Sequence, residues 1–206
     1  MEHDEFLADG PPDGPVFIFA HGAGGAMDTP FMNRVAAGLA DRGIRVLRFE
    51  FPYMRARREG KRSGAPDRQP ILLESWRDAI RRSGATRPFI GGKSLGGRMA
   101  SMVADEMNAA GLICFGYPFH PPGNPERTRV EHLRSIATPT VIIQGERDPF
   151  GTPEEVAGYG LAPTIRVEWL PDGDHSFKPR RASGVTETEN VHRAIELAGH
   201  FIGGQD

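Results

Sequence analysis

The 206-residue chain holds one cysteine, Cys114, so no internal disulfide can form. No apolar run approaches the roughly 18–20 residues that a membrane span needs. Neither sign of charge dominates: 25 Lys and Arg stand against 27 Asp and Glu, a net charge of −2. This balance gives no broad electrostatic footprint for nucleic acid or an anionic membrane surface. The opening stretch, MEHDEFLADG, is acidic and lacks the apolar core of a secretory signal. A cytoplasmic protein with no nucleic-acid or membrane partner is the expectation, and oligomeric state is not legible. Cys114 sits inside the apolar run GLICFGY and reads as a buried, inert thiol.

What is present is alternation. Short apolar runs, VFIFA (16–20), IRVLRFEF (44–51), PFIGG (88–92), GLICFGY (111–117), TVIIQG (140–145) and IRVEWLP (165–171), read as buried strands. Between them lie segments of helical period: Phe31, Val35 and Leu39 recur every four residues, as do Leu72, Trp76 and Ile80. GRMASMVADEMNAA and PEEVAGYG also read as helical, and TENVHRAIELAGHFI reads as a closing helix. Strand and helix in alternation predict one α/β domain over 1–206: six to seven mostly parallel strands with helices on both faces. The stretch 53–70, YMRARREGKRSGAPDRQP, interrupts the pattern with six basic residues. It reads as a solvated loop, or as a partial cap that attracts anionic substrates.

Gly92-Lys93-Ser94-Leu95-Gly96 fits G-x-S-x-G, the sharp strand-to-helix turn that lifts a nucleophilic serine. In a chain with 26 glycines that pattern arises by chance often enough that its surroundings must decide. In an open parallel sheet the site is built from loops at the carboxyl ends of the strands. Ser94 follows one such strand. His175, in PDGDHSF, follows another and is the expected base. His21 follows a strand too, but precedes glycines and reads as a brace for its own loop. His192 and His200 look helical, and His3 sits near the chain start. Asp148, in QGERDPF, is the expected acid that orients His175, with Glu146 and Asp174 as rivals. An acyl-transfer site also needs donors for a developing oxyanion. The backbone N–H groups of Leu95 and of Ala23, in HGAGG, are the candidates, with Gly22 and Gly24 letting that loop turn inward. Phe119, His120, Phe150 and Phe177 are candidate pocket walls. No metal or cofactor is called for.

The stretches HGAGGAMDTPFMNRVAAGLADRGIRVLRF, GGKSLGGRMAS, GLICFGYPFHPPG, QGERDPFG and DHSF resemble the α/β-hydrolase superfamily, in its dienelactone hydrolase-like branch. They are most similar to a small group holding a testis-expressed protein and a subunit of a chromatin-acetylating complex. The resemblance implies Ser94 as nucleophile, Asp148 as acid, His175 as base and an oxyanion loop at 22–24. It implies a serine hydrolase acting on a small acyl substrate such as an ester or thioester. The alternative is a non-catalytic scaffold that keeps the fold. Only about twenty residues separate the strand ending near Tyr117 from the next, which leaves no room for a separate lid domain.

Overall fold

The computed structural model describes residues 6–61 and 64–204, so part of the basic stretch and His3 lie outside the described residues. Six strands form a parallel array: β2 (Val16–Ala20), β3 (Arg45–Phe49), β4 (Phe89–Lys93), β5 (Gly111–Phe115), β6 (Thr140–Gly145) and β7 (Ile165–Leu170). A short seventh, β1 (Leu7–Asp9), adds an antiparallel edge, giving the order β1-β3-β2-β4-β5-β6-β7. Leu-Ala-Asp carries no apolar run, and β1 is held by its pairing with β3 and by the Arg48–Asp9 ion pair at 2.8 Å.

Side chains alternate across the strands and so feed two cores. On one face Ile18, Ala20, Ile90 and Leu112 pack with Trp76, Ala79 and Ile80 of α3 (Gln69–Ser83) and Met99 and Ala100 of α4 (Leu95–Ser101). On the other, Phe17, Phe19, Ile113 and Phe115 pack with Val35 and Leu39 of α1 (Pro30–Ala40) and Ala194 and Ala198 of α6 (Glu187–Gly203). Trp76 is fully buried and its indole N–H donates to Gly96 O at 3.2 Å, which fixes α3 against the start of α4.

Helix starts follow their capping residues. Thr29 accepts from Met32 N and Pro30 opens α1, while Thr186 and Glu189 form a reciprocal capping box at α6. Three features depart from expectation. The basic stretch is no solvated loop at its start: α2 (Pro52–Arg58) buries Tyr53 and Met54. α4 stops at Ser101 and the chain continues as turns, in which the Asp105 carboxylate accepts from Thr138 N (2.8 Å), Thr138 Oγ1 (2.6 Å) and Ala137 N (2.9 Å). Of the PEEVAGYG segment only α5 (Pro153–Val156) is helical. Between β5 and β6 the chain forms one 3₁₀ turn, Glu131–Arg134, and no lid domain.

Candidate active site

Ser94 joins β4 to α4 with φ 50° and ψ −112°, a backbone that side-chain-bearing residues rarely adopt. The turn is locked by Ser94 N donating to Phe115 O (3.0 Å) and Arg98 N donating to Ser94 O (3.0 Å). Glycine is required on both sides. A Cβ on Gly92 would stand 2.6 Å from Ala20 O, and one on Gly96 would stand 2.5 Å from the same oxygen.

Three strand ends converge here. Ser94 Oγ lies 2.9 Å from His175 Nε2, and His175 Nδ1 lies 2.8 Å from Asp148 Oδ2. Asp148 is completely buried. Its Oδ1 accepts from Phe150 N (2.9 Å), and Oδ2 also accepts from Gln144 Nε2 (2.9 Å). Buried carboxylate charge is tolerable only with such donors. Bonding to Asp148 assigns the His175 proton to Nδ1 and leaves Nε2 free to accept from a hydroxyl. The two rival carboxylates are engaged locally: Asp174 Oδ1 accepts from Ser176 N (2.7 Å) and Lys178 N (3.0 Å), and Glu146 Oε2 from Asp172 N (2.8 Å).

An upward shift of the His175 pKa is expected from Asp148 alone; the net shift is downward. Burial outweighs the hydrogen bond to Asp148, and the Lys93 ammonium adds to the lowering. Lys93 donates to His175 O at 2.5 Å and lies 5.5 Å from the Phe177 ring centre. Desolvation pushes Lys93 itself down to about 8.

The HGAGG loop faces Ser94. His21 is fully buried; its Nε2 accepts from Phe51 N (3.1 Å), so Nδ1 carries the proton and donates to Gly22 O (2.7 Å). Tyr53 Oη shares its one proton between Ala23 O (3.1 Å) and Gly22 O (3.3 Å). Across a trans peptide the N–H points opposite the C=O. Anchoring Gly22 O to His21 and Tyr53 therefore aims the Ala23 N–H away from them. Leu95 opens α4, whose first N–H groups have no intrahelical acceptor.

A cleft of about 560 Å³ is lined by Gly22, Ala23, Gly24, Ser94, Phe150 and His175, among others. Phe150 lies tilted against His175 with ring centres 4.3 Å apart. The other three expected walls do not line it. Phe119 is fully buried, packed against Tyr117 and Tyr159 beneath the Asp148 loop. His120 is buried on Glu155 (3.2 Å), and its backbone N–H supports Phe150 O (3.2 Å). Phe177 is fully buried, with the Lys93 ammonium over its ring. The wall missed from the sequence is Phe31, which reads there as part of a helical core stripe. The cleft also takes in Lys93 and Arg34. Gln144, also missed, holds Asp148 and bridges to Tyr117 O at 3.1 Å; a buried glutamine within an apolar strand is its sequence signal.

Among the described residues no cluster of three or more His, Cys, Asp or Glu could hold a metal ion, and no helix is long and apolar enough to cross a membrane. The hydrogen-bonded series hydroxyl, imidazole, buried carboxylate is an arrangement able to remove a hydroxyl proton and return it to a leaving group.

The same fold recurs among solved structures. An alpha-beta serine hydrolase homologue from Coxiella burnetii is similar at 18% identity and TM-score 0.70, covering 98% of each chain. A serine hydrolase without a lid from Xanthomonas campestris matches at 20% identity and TM-score 0.65, over 99% of this chain and 94% of that one. Est1E from Butyrivibrio proteoclasticus, solved with ferulic acid, matches at 15% and 0.72, over 98% and 94%. A family model described as an alpha/beta hydrolase domain matches residues 13–203, nearly the whole sheet and all its helices. The chain belongs to the alpha/beta-hydrolase family.

Proposed function

We propose that this protein is a serine hydrolase of small esters, thioesters or related acyl compounds. The observation that carries the reading is the series Ser94 Oγ, His175 Nε2, His175 Nδ1, Asp148 Oδ2, linked at 2.9 and 2.8 Å. Ser94 Oγ bonds to the acyl carbon as its proton passes to His175 Nε2. The tetrahedral oxyanion is met by the N–H groups of Ala23 and Leu95. The acyl–leaving-group bond then breaks as His175 returns the proton to the leaving atom. Water, deprotonated by His175, repeats the sequence on acyl-Ser94 and releases the acid. No step calls on a metal or cofactor. Within the family we favour the dienelactone hydrolase-like branch and its group with the testis-expressed and chromatin-complex proteins, on the motifs around Ser94, Asp148 and His175. The single cysteine, wholly buried, fits a reducing cytoplasm.

A fluorophosphonate probe tests the reading. Wild type is expected to label, Ser94→Ala to lose all labelling and His175→Ala nearly all. Folded wild type that stays unlabelled between pH 6 and 9 would overturn the enzyme assignment and leave a scaffold.

A further inference from the structure

A second polar cluster lies at the same end of the sheet as Ser94 but outside its cleft. Arg98, one turn into α4, reaches Gln69 Oε1 at the start of α3 (3.4 Å). Its Nε is buried and makes no hydrogen bond. Arg129 lies on the connection after β5, where its N–H donates to Phe119 O (2.7 Å). One network ties the two backbones together. Ser101 Oγ donates to Arg98 O (2.7 Å) and Tyr117 Oη donates to Arg129 O (3.1 Å). Both hydroxyl oxygens meet His132 Nε2, at 2.8 and 3.4 Å. Each hydroxyl has one proton and gives it to a carbonyl, so the imidazole proton sits on Nε2. That proton count also removes Ser101 and His132 as a second hydrolytic pair, because Nε2 has no lone pair to offer.

The cluster therefore holds no negative charge. His132 is pushed down to about 4 by burial and by Arg98, so it is neutral at pH 7. Burial, Arg98 and Arg127 together lower Arg129. Among the described residues neither Arg98, Arg127 nor Arg129 is paired with a carboxylate. Other arginines of this fold do have such partners, as Arg48 has Asp9, Arg58 has Glu50 and Arg77 has Glu106. Partly buried like charges without a counter-charge cost free energy, and planar guanidinium groups suit oxyanions.

We propose that Arg98 and Arg129, with Arg127 at the rim, form a binding site for a small multivalent oxyanion, a phosphate or a polycarboxylate, separate from the Ser94 cleft. The site does not depend on the hydrolase reading, because its test reads binding and not turnover. Melting temperature is measured at constant ionic strength in chloride, in inorganic phosphate and in citrate, each anion at about 10 mM, where a ligand that binds only the folded state raises it. Wild type is expected to gain several degrees in phosphate, in citrate or in both; the anion that acts tells phosphate recognition from carboxylate recognition. Arg98→Met and Arg129→Met are expected to lose that gain, and Arg98→Met in chloride should melt no lower than wild type. If Arg98→Met does not fold, Arg129→Met carries the same comparison. A wild type unmoved by both anions, or a gain that survives in the variants, overturns the site.

Discussion

Lys93 and His175 are joined by a hydrogen bond from ammonium to main-chain carbonyl, Nζ to O, at 2.5 Å. The contact passes over Gly116, where a Cβ would stand 2.7 Å from Lys93 Nζ and 3.3 Å from His175 Nδ1. Lys93 thus ties down the backbone that carries the imidazole and places a positive charge near it. His175 is also faced by Asp148 and Asp174, which favour its protonated form, while burial and Lys93 oppose it. A base must be neutral, so hydrolysis should rise with pH on a limb whose midpoint lies below 6.5, the ordinary histidine value. Lys93→Met removes one of the opposing influences and should move that limb upward, with kcat falling about tenfold and KM little changed. A pH–rate profile of both proteins checks this. An unmoved limb would leave Lys93 with a packing role only.

Asp148→Asn is nearly isosteric and keeps an oxygen for Phe150 N, but it sets an amide NH2 against Gln144 Nε2, so the protein should fold with a stability loss of about 1–3 kcal/mol. The substitution should cost about 10⁴ in turnover by favouring the wrong imidazole tautomer, the size known for a triad aspartate in the protease template. Asp174→Asn should cost less than tenfold, because Asp174 closes a local turn and does not meet the ring. Steady-state kinetics on one chromogenic ester compares the two directly.

The glycines around Ser94 are not equivalent. A Cβ at Gly96 meets Ala20 O at 2.5 Å and His21 O at 2.7 Å, both backbone atoms of β2 and the loop after it. A Cβ at Gly24 meets nothing within 4 Å. Gly96→Ala should destabilise the protein by about 3 kcal/mol or prevent folding, since neither backbone can give way. Gly24→Ala should stay within about 0.5 kcal/mol. Urea unfolding of the two variants provides the contrast.

Short acyl chains should be preferred. The connection between β5 and β6 supplies one 3₁₀ turn and nothing to fold over a long tail. The cleft includes the exposed ion pair Arg34–Glu187 (2.8 Å), which offers an alkyl tail no apolar cover. In a p-nitrophenyl ester series kcat/KM should be higher at two to four carbons than at twelve; the reverse order would show a long apolar track.

The strands that lead to Ser94, Asp148 and His175 were legible because each is a short, largely apolar run, with the polar side chain within a few residues of its end. Ser94, Asp148 and His175 could therefore be paired from chain order before any distance was known. β1 was not legible, because three residues without an apolar run are strand only through β3 and Arg48. α2 was hidden by its own arginines, although Tyr53 and Met54 give it a buried side. The pocket walls were the least legible part. An aromatic residue near a site announces apolar area but not direction: Phe150 faces the cleft, whereas Phe119 turns down beneath Gly151, whose Cβ would stand 2.5 Å from its ring. The direction of the His175 shift likewise depends on burial and on Lys93, neither of which adjacency in sequence reveals.

With Ser94 as the nucleophile proposed above, its backbone sets heat resistance against reactivity at a single residue. With φ at 50° and ψ at −112°, this position suits glycine, and holding a larger residue there costs on the order of 1 kcal/mol. A library of variants ranked only by survival after heating would therefore enrich Ser94→Gly, a protein that lasts longer and has no hydroxyl to offer a substrate. Directed evolution toward a hardier form of this chain needs an activity gate at every round, or it will drift toward an inert one.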